Sequence, residues 1–300
     1  MILQTAALDK LNYYWSLEER CMLDESQHSD FVRTALGYSG EKTFVEMVKD
    51  YGVVLWDVTL SAPFLGSAQY DVLLITAGKL IHYDIKNFKG QFKFAEGRLV
   101  SSYNRHYHNP QHQLERAHAI LEALMQQSGY HDKVESYLVF INEHFHVSGA
   151  VDSSWLMRGQ LHDHLKRYRK SVIQDTQLEV GRLLIDYHHP FDHLNQPLRV
   201  PFAEVQPGVR CPECRKLGQI IYKGKIHHEC AQCHKVIKIT EMLRASLNEL
   251  FYLKGEPFTY REALEWCGHP SRSTLQRLLN QHFTKAGHTK GATYSLGEKK

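Results

Sequence analysis

The chain has 300 residues, of which 43% are apolar and 23% are charged, values close to the averages for globular proteins. This composition excludes a disordered or collagen-like chain, and the length predicts two or three domains. No apolar run approaches the roughly 20 residues that span a bilayer, and no basic segment followed by an apolar one opens the sequence, so we expect a cytoplasmic protein without a membrane partner.

The net charge of +3 conceals an uneven distribution along the chain. Residues 205–300 hold 16 Lys and Arg against 8 Asp and Glu, whereas residues 1–204 hold 20 against 25. A basic C-terminal third on an acidic body favours a polyanionic partner for that third. Charge alone is equally compatible with a basic surface that binds nothing in particular.

Hydrophobic periodicity and turn residues predict the following elements in chain order. Residues 1–35 have helical spacing and no evident chemistry. The next elements are a helix over 40–51, strands over 53–59, 71–77 and 79–87, a hairpin over 91–101, a helix over 109–127, a strand over 134–142 and a helix over 153–168. Prolines concentrated in residues 187–209 predict a linker. Helices over 240–253, 260–266 and 271–281 complete the prediction.

Charged residues interrupt the predicted central strands at one end. Alternation along 79–87 places His82, Asp84 and Lys86 on one face of a strand that is otherwise apolar on both faces. A buried charge there costs several kcal/mol unless it is paired or binds a metal ion. If the strands over 71–77 and 79–87 pair antiparallel, Asp71 lies beside Asp84.

A third carboxylate is predicted on the neighbouring helix, where Glu41 shares a stripe with Val45 and Val48. Carboxylate oxygens suit Mg²⁺ or Mn²⁺, and such an ion would polarise a phosphate and acidify a bound water. Lys86 would orient that water or stabilise the developing charge. An ordinary Asp84–Lys86 surface pair is the alternative, and the additional acids favour the metal site.

Four segments, in this order, resemble the nuclease-related domain, NERD, of the PD-(D/E)xK nuclease-like superfamily. They span roughly residues 35–145 and are Gly40-Glu41, Gln69-Tyr70-Asp71, Asp84-Ile85-Lys86-Asn87-Phe88-Lys89-Gly90 and Asn109-Pro110-Gln111-His112-Gln113. The resemblance implies an α/β fold with a mixed sheet flanked by helices. It also implies a catalytic set of Glu41, Asp71, Asp84 and Lys86, with Asp71 and Asp84 as ligands of Mg²⁺ or Mn²⁺ and Gln113 close to the active site.

Two positions depart from the usual pattern of that family. Tyr70 stands where Ile is usual, which we expect to change packing only. Asp84 stands where Glu is commoner, and because Asp is one methylene shorter, a bound metal ion would lie closer to the strand.

The cysteines predict a separate metal site. Cys211, Cys214, Cys230 and Cys233 form a C-x2-C-x15-C-x2-C pattern, which is typical of a tetrahedral zinc ribbon. Two disulfides are the alternative, which a reducing compartment disfavours. Four thiolates leave no open coordination position, so we expect this zinc to be structural.

The C-terminal helices and a hairpin-like pattern over 283–296 resemble a winged helix-turn-helix. DNA-binding candidates on the third helix and the wing are Arg272, Gln276, Arg277, Lys285 and Lys290. A small helical bundle used for protein contact is the alternative, and the local basic charge favours DNA.

The predicted order of domains is a helical extension (1–35), a NERD nuclease domain (36–186), a linker (187–209), a zinc ribbon (210–239) and a winged-helix-like domain (240–300). The main hypothesis is a DNA endonuclease that uses Mg²⁺ or Mn²⁺, recruited to DNA by its tail. Action on foreign DNA would suit this architecture, although no residue indicates it. A non-catalytic DNA-binding or regulatory protein is the second hypothesis, and action on RNA is a weaker third. Double-strand cutting would need two such sites, which makes a homodimer an expectation; protein partners cannot be named.

Overall fold

A computed structural model describes residues 1–168, 173–189, 196–224, 226–288 and 291–297. The chain divides into two compact units. The first unit comprises Met1–Ala7 with Arg33–Leu194, and the second comprises Leu8–Val32 with Asn195–Lys300. No helix in these described ranges is long and apolar enough to cross a membrane.

A six-stranded mixed sheet forms the centre of the first unit, in the order β1-β2-β3-β4-β8-β10. Strands β2, β3 and β4 are antiparallel neighbours, whereas β1 joins β2, β8 joins β4 and β10 joins β8 in parallel. The strand bounds are β1 Ile2–Gln4, β2 Val53–Ala62, β3 Gly66–Thr76, β4 Lys79–Lys86, β8 Lys133–Phe140 and β10 Trp155–Met157.

Helices cover both faces of this sheet. One face packs against α2 through Phe44, Val45 and Val48. The other face packs against α3 and α5 through residues that include Leu121 and Leu184. The helix bounds are α2 Glu25–Val48, α3 Pro110–Gln127, α4 Leu161–Leu165 and α5 Asp175–Asp186. Since strands that are apolar on both faces need cover on both sides, this layering explains the buried pattern of β4. The expected α/β fold is confirmed.

A second sheet of four strands extends the first unit, in the order β7-β6-β5-β9. Its bounds are β5 Gly90–Ala95, β6 Arg98–Ser101, β7 His106–Tyr107 and β9 Phe145–Ser148. A cluster of aromatic side chains fills its inner face, and the rings of Phe140 and Phe145 stack with centroids 4.1 Å apart.

One predicted element of the first unit is wrong. The sequence predicts a helix over residues 153–168, but Trp155–Met157 is a strand, a 3₁₀ turn follows, and within this range only Leu161–Leu165 is α-helical. Trp155 and Leu156 are buried where β10 pairs with β8, because an edge position beside β8 buries those large side chains better than an isolated helix would.

The second unit combines several helices, a cysteine-bearing sheet and a small C-terminal sheet. Helix α1 (Asp9–Leu17) packs on α6 (Ile239–Lys254) in the core that also holds α7 (Tyr260–Trp266) and α8 (Arg272–His282). The cysteine-bearing sheet contains β11 Ile220–Ile221, β12 His227–Cys230 and β13 Val236–Lys238. The C-terminal sheet contains β14 Phe258–Thr259, β15 Phe283–Ala286 and β16 Thr293–Leu296, in the order β14-β16-β15.

The predicted N-terminal extension and the predicted linker each divide between the two units. Strand β1 belongs to the sheet of the first unit, whereas residues 8–32 belong to the second unit. Of the predicted linker, residues 190–195 lie outside the described ranges. Residues 196–209 pack in the second unit, where the hydroxyl oxygens of Tyr14 and Tyr13 accept hydrogen bonds from the backbone N–H groups of Leu198 and Val200.

Candidate active site and metal centre

The carboxylates at the end of β4 lie together as the strand register requires. Val72 of β3 pairs with Tyr83 of β4, so the next positions outward are Asp71 and Asp84. The backbone N–H of Ile85 donates to Oδ2 of Asp71 at 2.7 Å, which fixes Asp71 against β4. Asp84 is only 3% exposed.

Lys86 links this pair of acids to α3. Its Nζ lies 2.6 Å from Oδ1 of Asp84 and donates to Oε1 of Gln113 at 3.4 Å. Burial by itself would lower the pKa of Lys86, but Asp84, Asp71 and Glu41 together raise it above its usual value. The ammonium therefore stays charged at neutral pH.

Glu41 reaches the same site from α2. Its Oε2 accepts a hydrogen bond from Nε1 of Trp56 at 2.7 Å, which holds the carboxylate between the helix and β2. Close packing brings this part of α2 to the strand ends, since a Cβ on Gly40 would lie 2.9 Å from Cβ of Asn87. Asn87 in turn donates to the carbonyl oxygen of Leu36 on α2.

Burial and mutual repulsion raise the pKa values of two of these carboxyl groups, Glu41 and Asp71. Burial, with Asp57 and Asp84 nearby, raises the pKa of Glu41 to about 7. Burial, with Glu41 and Asp84 nearby, raises the pKa of Asp71 well above its usual range. A divalent cation would stabilise the charged form of these carboxyl groups, and Mg²⁺ and Mn²⁺ prefer carboxylate oxygens as ligands. The residues therefore fit such an ion.

Two residues at this site were not found from the sequence. Asp57 lies between the paired positions Trp56–Val72 and Val58–Tyr70, which places it across from Asp71. Its φ of 62° is left-handed, and its Oδ1 accepts a hydrogen bond from Nε2 of Gln69 at 2.6 Å. Trp56, the donor to Glu41, is the second. The acid within an apolar strand was a signal for Asp57, but nothing local connects Trp56 with Glu41.

Tyr70 does more than change the packing. It is fully buried, and its hydroxyl donates to the carbonyl oxygen of Ala117 at 2.7 Å, which ties β3 to α3. Ala117 lies one turn beyond Gln113, so this bond helps to place the glutamine near Lys86. An Ile at position 70 could not make that bond.

The four cysteines of the second unit converge on one point. Their Sγ atoms all lie within 4.8 Å of one another, with Cys211 and Cys233 3.7 Å apart and Cys214 and Cys230 3.5 Å apart. A disulfide would need about 2.05 Å between sulfurs, whereas a tetrahedral zinc with Zn–S bonds of about 2.3 Å sets them about 3.8 Å apart. The donor set therefore fits Zn²⁺.

The two cysteine turns share one backbone pattern. The N–H of Arg215 donates to the carbonyl of Cys211 at 2.9 Å, and the N–H of His234 donates to the carbonyl of Cys230 at 2.9 Å. Arg215 and His234 both have left-handed φ, 60° and 57°. Although burial acts in the opposite direction, N–H groups of Cys233 and Gln232 lower the pKa of the Cys230 thiol to about 7, whereas burial raises the pKa of the Cys211 thiol to about 12.

The two sites differ in how compact their donor sets are. Within the described ranges, the four cysteines are the one set of three or more metal-ligating side chains whose ligand atoms all lie within 4.8 Å of one another. Glu41, Asp71 and Asp84 are more widely spaced. That Asp71 and Asp84 are the two carboxylate ligands of Mg²⁺ or Mn²⁺ stays a prediction.

The DNA-binding candidates lie on α8 and β15. Arg272 and Arg277 are exposed on α8, whose opposite face buries Leu275, Leu278 and Leu279. Gln276 is partly exposed and donates to Oδ1 of Asn280 at 3.0 Å. Lys285 is exposed on β15, and Lys290 lies outside the described residues. Strands β15 and β16 form the predicted antiparallel hairpin. Binding of DNA by these residues stays a prediction.

Comparison with known proteins gives one match. The sequence model of the family described as nuclease-related domain, NERD, matches residues 36–141, which hold all five predicted catalytic residues. Neither a curated protein nor a solved structure matches the chain. The matched region contains α2 from residue 36, β2 to β4, the hairpin, α3 and β8, which are the elements that build the acidic site. Residues 36–141 of this chain are therefore similar to the nuclease-related domain family.

Proposed function

We propose that the protein is a metal-dependent DNA endonuclease that hydrolyses phosphodiester bonds and is recruited to DNA by its C-terminal region. The observation that carries the proposal is the meeting of Asp71, Asp84 and Lys86 at the end of β4, inside a nuclease-related domain. A structural ion pair alone would not require two further acids, Glu41 and Asp57, beside it.

In this proposal Asp71 and Asp84 hold Mg²⁺ or Mn²⁺. When bound, such an ion polarises the scissile phosphate and lowers the pKa of a water molecule. Lys86 stays protonated, so it donates hydrogen bonds and stabilises negative charge on the phosphate instead of accepting a proton. Gln113 and Asp84 fix the position of the Lys86 ammonium. Trp56 holds Glu41 in place beside the acids.

The second unit supports the recruitment step of the proposal. Zinc bound by the four cysteines would hold the β11-β12-β13 sheet together, because a sheet this small has little core of its own. The exposed Arg272 and Arg277 on α8, with Lys285 on the hairpin, present positive charge on a helix-and-hairpin arrangement that suits a DNA groove.

The test is cleavage of supercoiled plasmid by the purified chain with Mg²⁺, Mn²⁺ or EDTA. We expect Asp84→Ala and Lys86→Ala each to reduce the rate by about 100-fold or more, as for loss of a group that stabilises transition-state charge. Asp186→Ala and Lys166→Ala, which change an exposed acid and an exposed base elsewhere in the first unit, are the matched controls and should leave the rate unchanged.

The outcomes separate the candidate functions. Cutting that survives both site variants would contradict the proposed site. DNA that is retained in a gel shift but never cut under any metal condition would favour the non-catalytic DNA-binding protein. Arg272→Ala with Arg277→Ala should weaken retention without changing the metal dependence, and a parallel assay on RNA of the same length checks the polymer.

A further inference from the structure

The proposed mechanism makes no use of the outward face of the four-stranded sheet in the first unit. We call strands β5, β6, β7 and β9, together with the turn over 102–105, the basic sheet. Phe92, Leu99 and Phe145 point inward and are buried. Since side chains alternate along a strand, the adjacent residues point outward. Those exposed outward residues are Gln91, Lys93, Arg98, His106, His146 and Ser148.

The register places these outward residues in rows across the sheet. Lys93 of β5 pairs with Val100 of β6, and Val100 pairs with His106 of β7. On the other side Lys93 pairs with Ser148 of β9, and Gln91 pairs with His146. The row through Lys93 therefore carries donors from three strands. Tyr103, 93% exposed at the turn between β6 and β7, adds an unshielded aromatic ring.

The charge of this region is opposite to that of the body around it. Residues 87–108 contain four Lys and Arg against a single acid, Glu96, although residues 1–204 have an excess of acids. The four cations are Lys89, Lys93, Arg98 and Arg105, and all are exposed. None of them has an ion-pair partner among the residues that the structure describes, whereas Lys79, Lys86 and Lys166 of the same unit are each paired with an acid.

The basic sheet continues the strands that carry the site. Strands β4 and β8 run parallel and end at Lys86 and Phe140, and the chain then enters β5 and β9, which are again parallel neighbours with Gly90 opposite Phe145. Lys93 is seven residues beyond Lys86, a span of at most about 24 Å for an extended chain. At one phosphate per 3.4 Å along a strand, this corresponds to about seven nucleotides.

We propose that the outward face of the basic sheet binds the phosphate backbone of DNA next to the cleavage site. Lys93 and Arg98 are the principal contacts, and Lys89 and Arg105 flank them. This inference rests on the proposed nuclease function for its substrate, DNA. It adds a second surface, within the first unit itself, that is independent of the predicted contacts on α8. Unpaired exposed cations on a polar sheet face favour a polyanion over a protein partner, because protein interfaces are depleted of lysine at their centres.

The experiment compares two charge-matched pairs in the full-length chain. Lys93→Glu with Arg98→Glu alters the basic sheet. Arg167→Glu with Arg182→Glu alters exposed cations after α4 and on α5, and α5 packs at Val53 and Ile75, near the start of β2 and the end of β3, whereas Asp71 lies at the middle of β3. Both pairs are made with Arg272→Ala and Arg277→Ala, so that the α8 contacts contribute little. Binding to a 40-base-pair duplex is measured by fluorescence anisotropy in EDTA over a range of salt concentrations.

We expect the sheet pair to reduce the slope of log K against log salt by about 1.8, since each lost phosphate contact removes about 0.9. The control pair should leave the slope unchanged. Lys93→Gln with Arg98→Gln keeps the fold of an exposed strand and should give the same loss of slope with a smaller loss of affinity. Equal slopes for the sheet and control pairs, or no binding before the sheet is altered, would overturn the inference.

Cleavage kinetics give a second readout that keeps this inference separate from the nuclease proposal. In the active chain the sheet pair should raise KM at least tenfold and leave kcat within a factor of two. A chain that never cuts DNA, but whose salt slope falls with the sheet pair, would contradict the nuclease proposal and support the basic sheet. A chain that cuts with an unchanged KM in the sheet pair would contradict the basic sheet alone.

Discussion

The two candidate metal sites of this protein are built in opposite ways. The cysteine site uses four side chains within 23 residues, on two turns with the same backbone hydrogen bonds. The acidic site takes Glu41 from a helix, Asp71 and Asp84 from two strands, and Gln113 from another helix. A closed set of four thiolates suits a structural ion, whereas spaced carboxylates leave coordination positions for water and substrate. The compactness of a donor set thus separates a stabilising role from a chemical one.

The largest effect should follow from removing one ligand of the cysteine site. Cys230→Ser removes one thiolate, and because apparent zinc-binding energies of such sites are about 10–16 kcal/mol, we expect loss of zinc and unfolding of residues 210–239. Metal analysis should fall from one zinc per chain to below a tenth, with fast amide exchange in β11 to β13. Cys21→Ser, which changes a free thiol outside the quartet, is the control. One zinc retained with slow exchange in Cys230→Ser would contradict a four-thiolate structural site.

At the acidic site, stability should instead depend on how closely α2 packs beside the strand ends. A methyl group on Gly40 would clash with Asn87 and Ile141, and overpacking of this kind costs about 1–3 kcal/mol. Gly37, on the same helix, has only Oε1 of Glu41 within 4 Å, at 3.9 Å, so Gly37→Ala should gain up to about 1 kcal/mol of helix propensity. Denaturant unfolding should therefore show opposite signs for Gly40→Ala and Gly37→Ala. The same sign for both would mean that the helix is not held at Gly40.

A smaller effect concerns the stability of the first unit at acidic pH, which should depend on a buried histidine. Burial, with Arg167 nearby, lowers the pKa of His164 to about 4, and its Nε2 lies 3.0 Å from the hydroxyl of Tyr83. His164 is thus neutral in the folded chain, whereas the unfolded chain takes up a proton below its ordinary pKa of 6.5. Its contribution to stability is complete above pH 6.5 and is lost as the pH falls towards 4, by about 1–2 kcal/mol at pH 5.

The measurement is the free energy of unfolding at pH 7.5 and pH 5 for the parent chain and two variants. His164→Gln should lose less stability between these pH values than the parent. His162→Gln, at an exposed position of the same helix, should behave as the parent does. Equal losses in all three proteins would place the acid sensitivity elsewhere.

The amino-acid sequence alone determined the features that depend on neighbours in the chain. Cysteine spacing predicted the convergence of the four thiols in an arrangement that fits Zn²⁺, because two C-x-x-C turns carry their geometry with them. The alternation along β4 and the turn at Ala77 and Gly78 placed Asp71 beside Asp84, because an antiparallel hairpin fixes its own register. The motifs over roughly residues 35–145 predicted a resemblance that the family comparison confirmed over residues 36–141.

Only the tertiary structure decided the features that depend on distant segments. Trp56 holds Glu41, Tyr70 ties β3 to Ala117, and Asp57 lies across from Asp71, through contacts whose partners share no local pattern. The strand at Trp155–Met157 likewise exists because β8 offers it an edge. Propensity and periodicity act over a few residues, whereas burial and register are set by whichever segment packs alongside, and the chemistry of the acidic site depends on that packing.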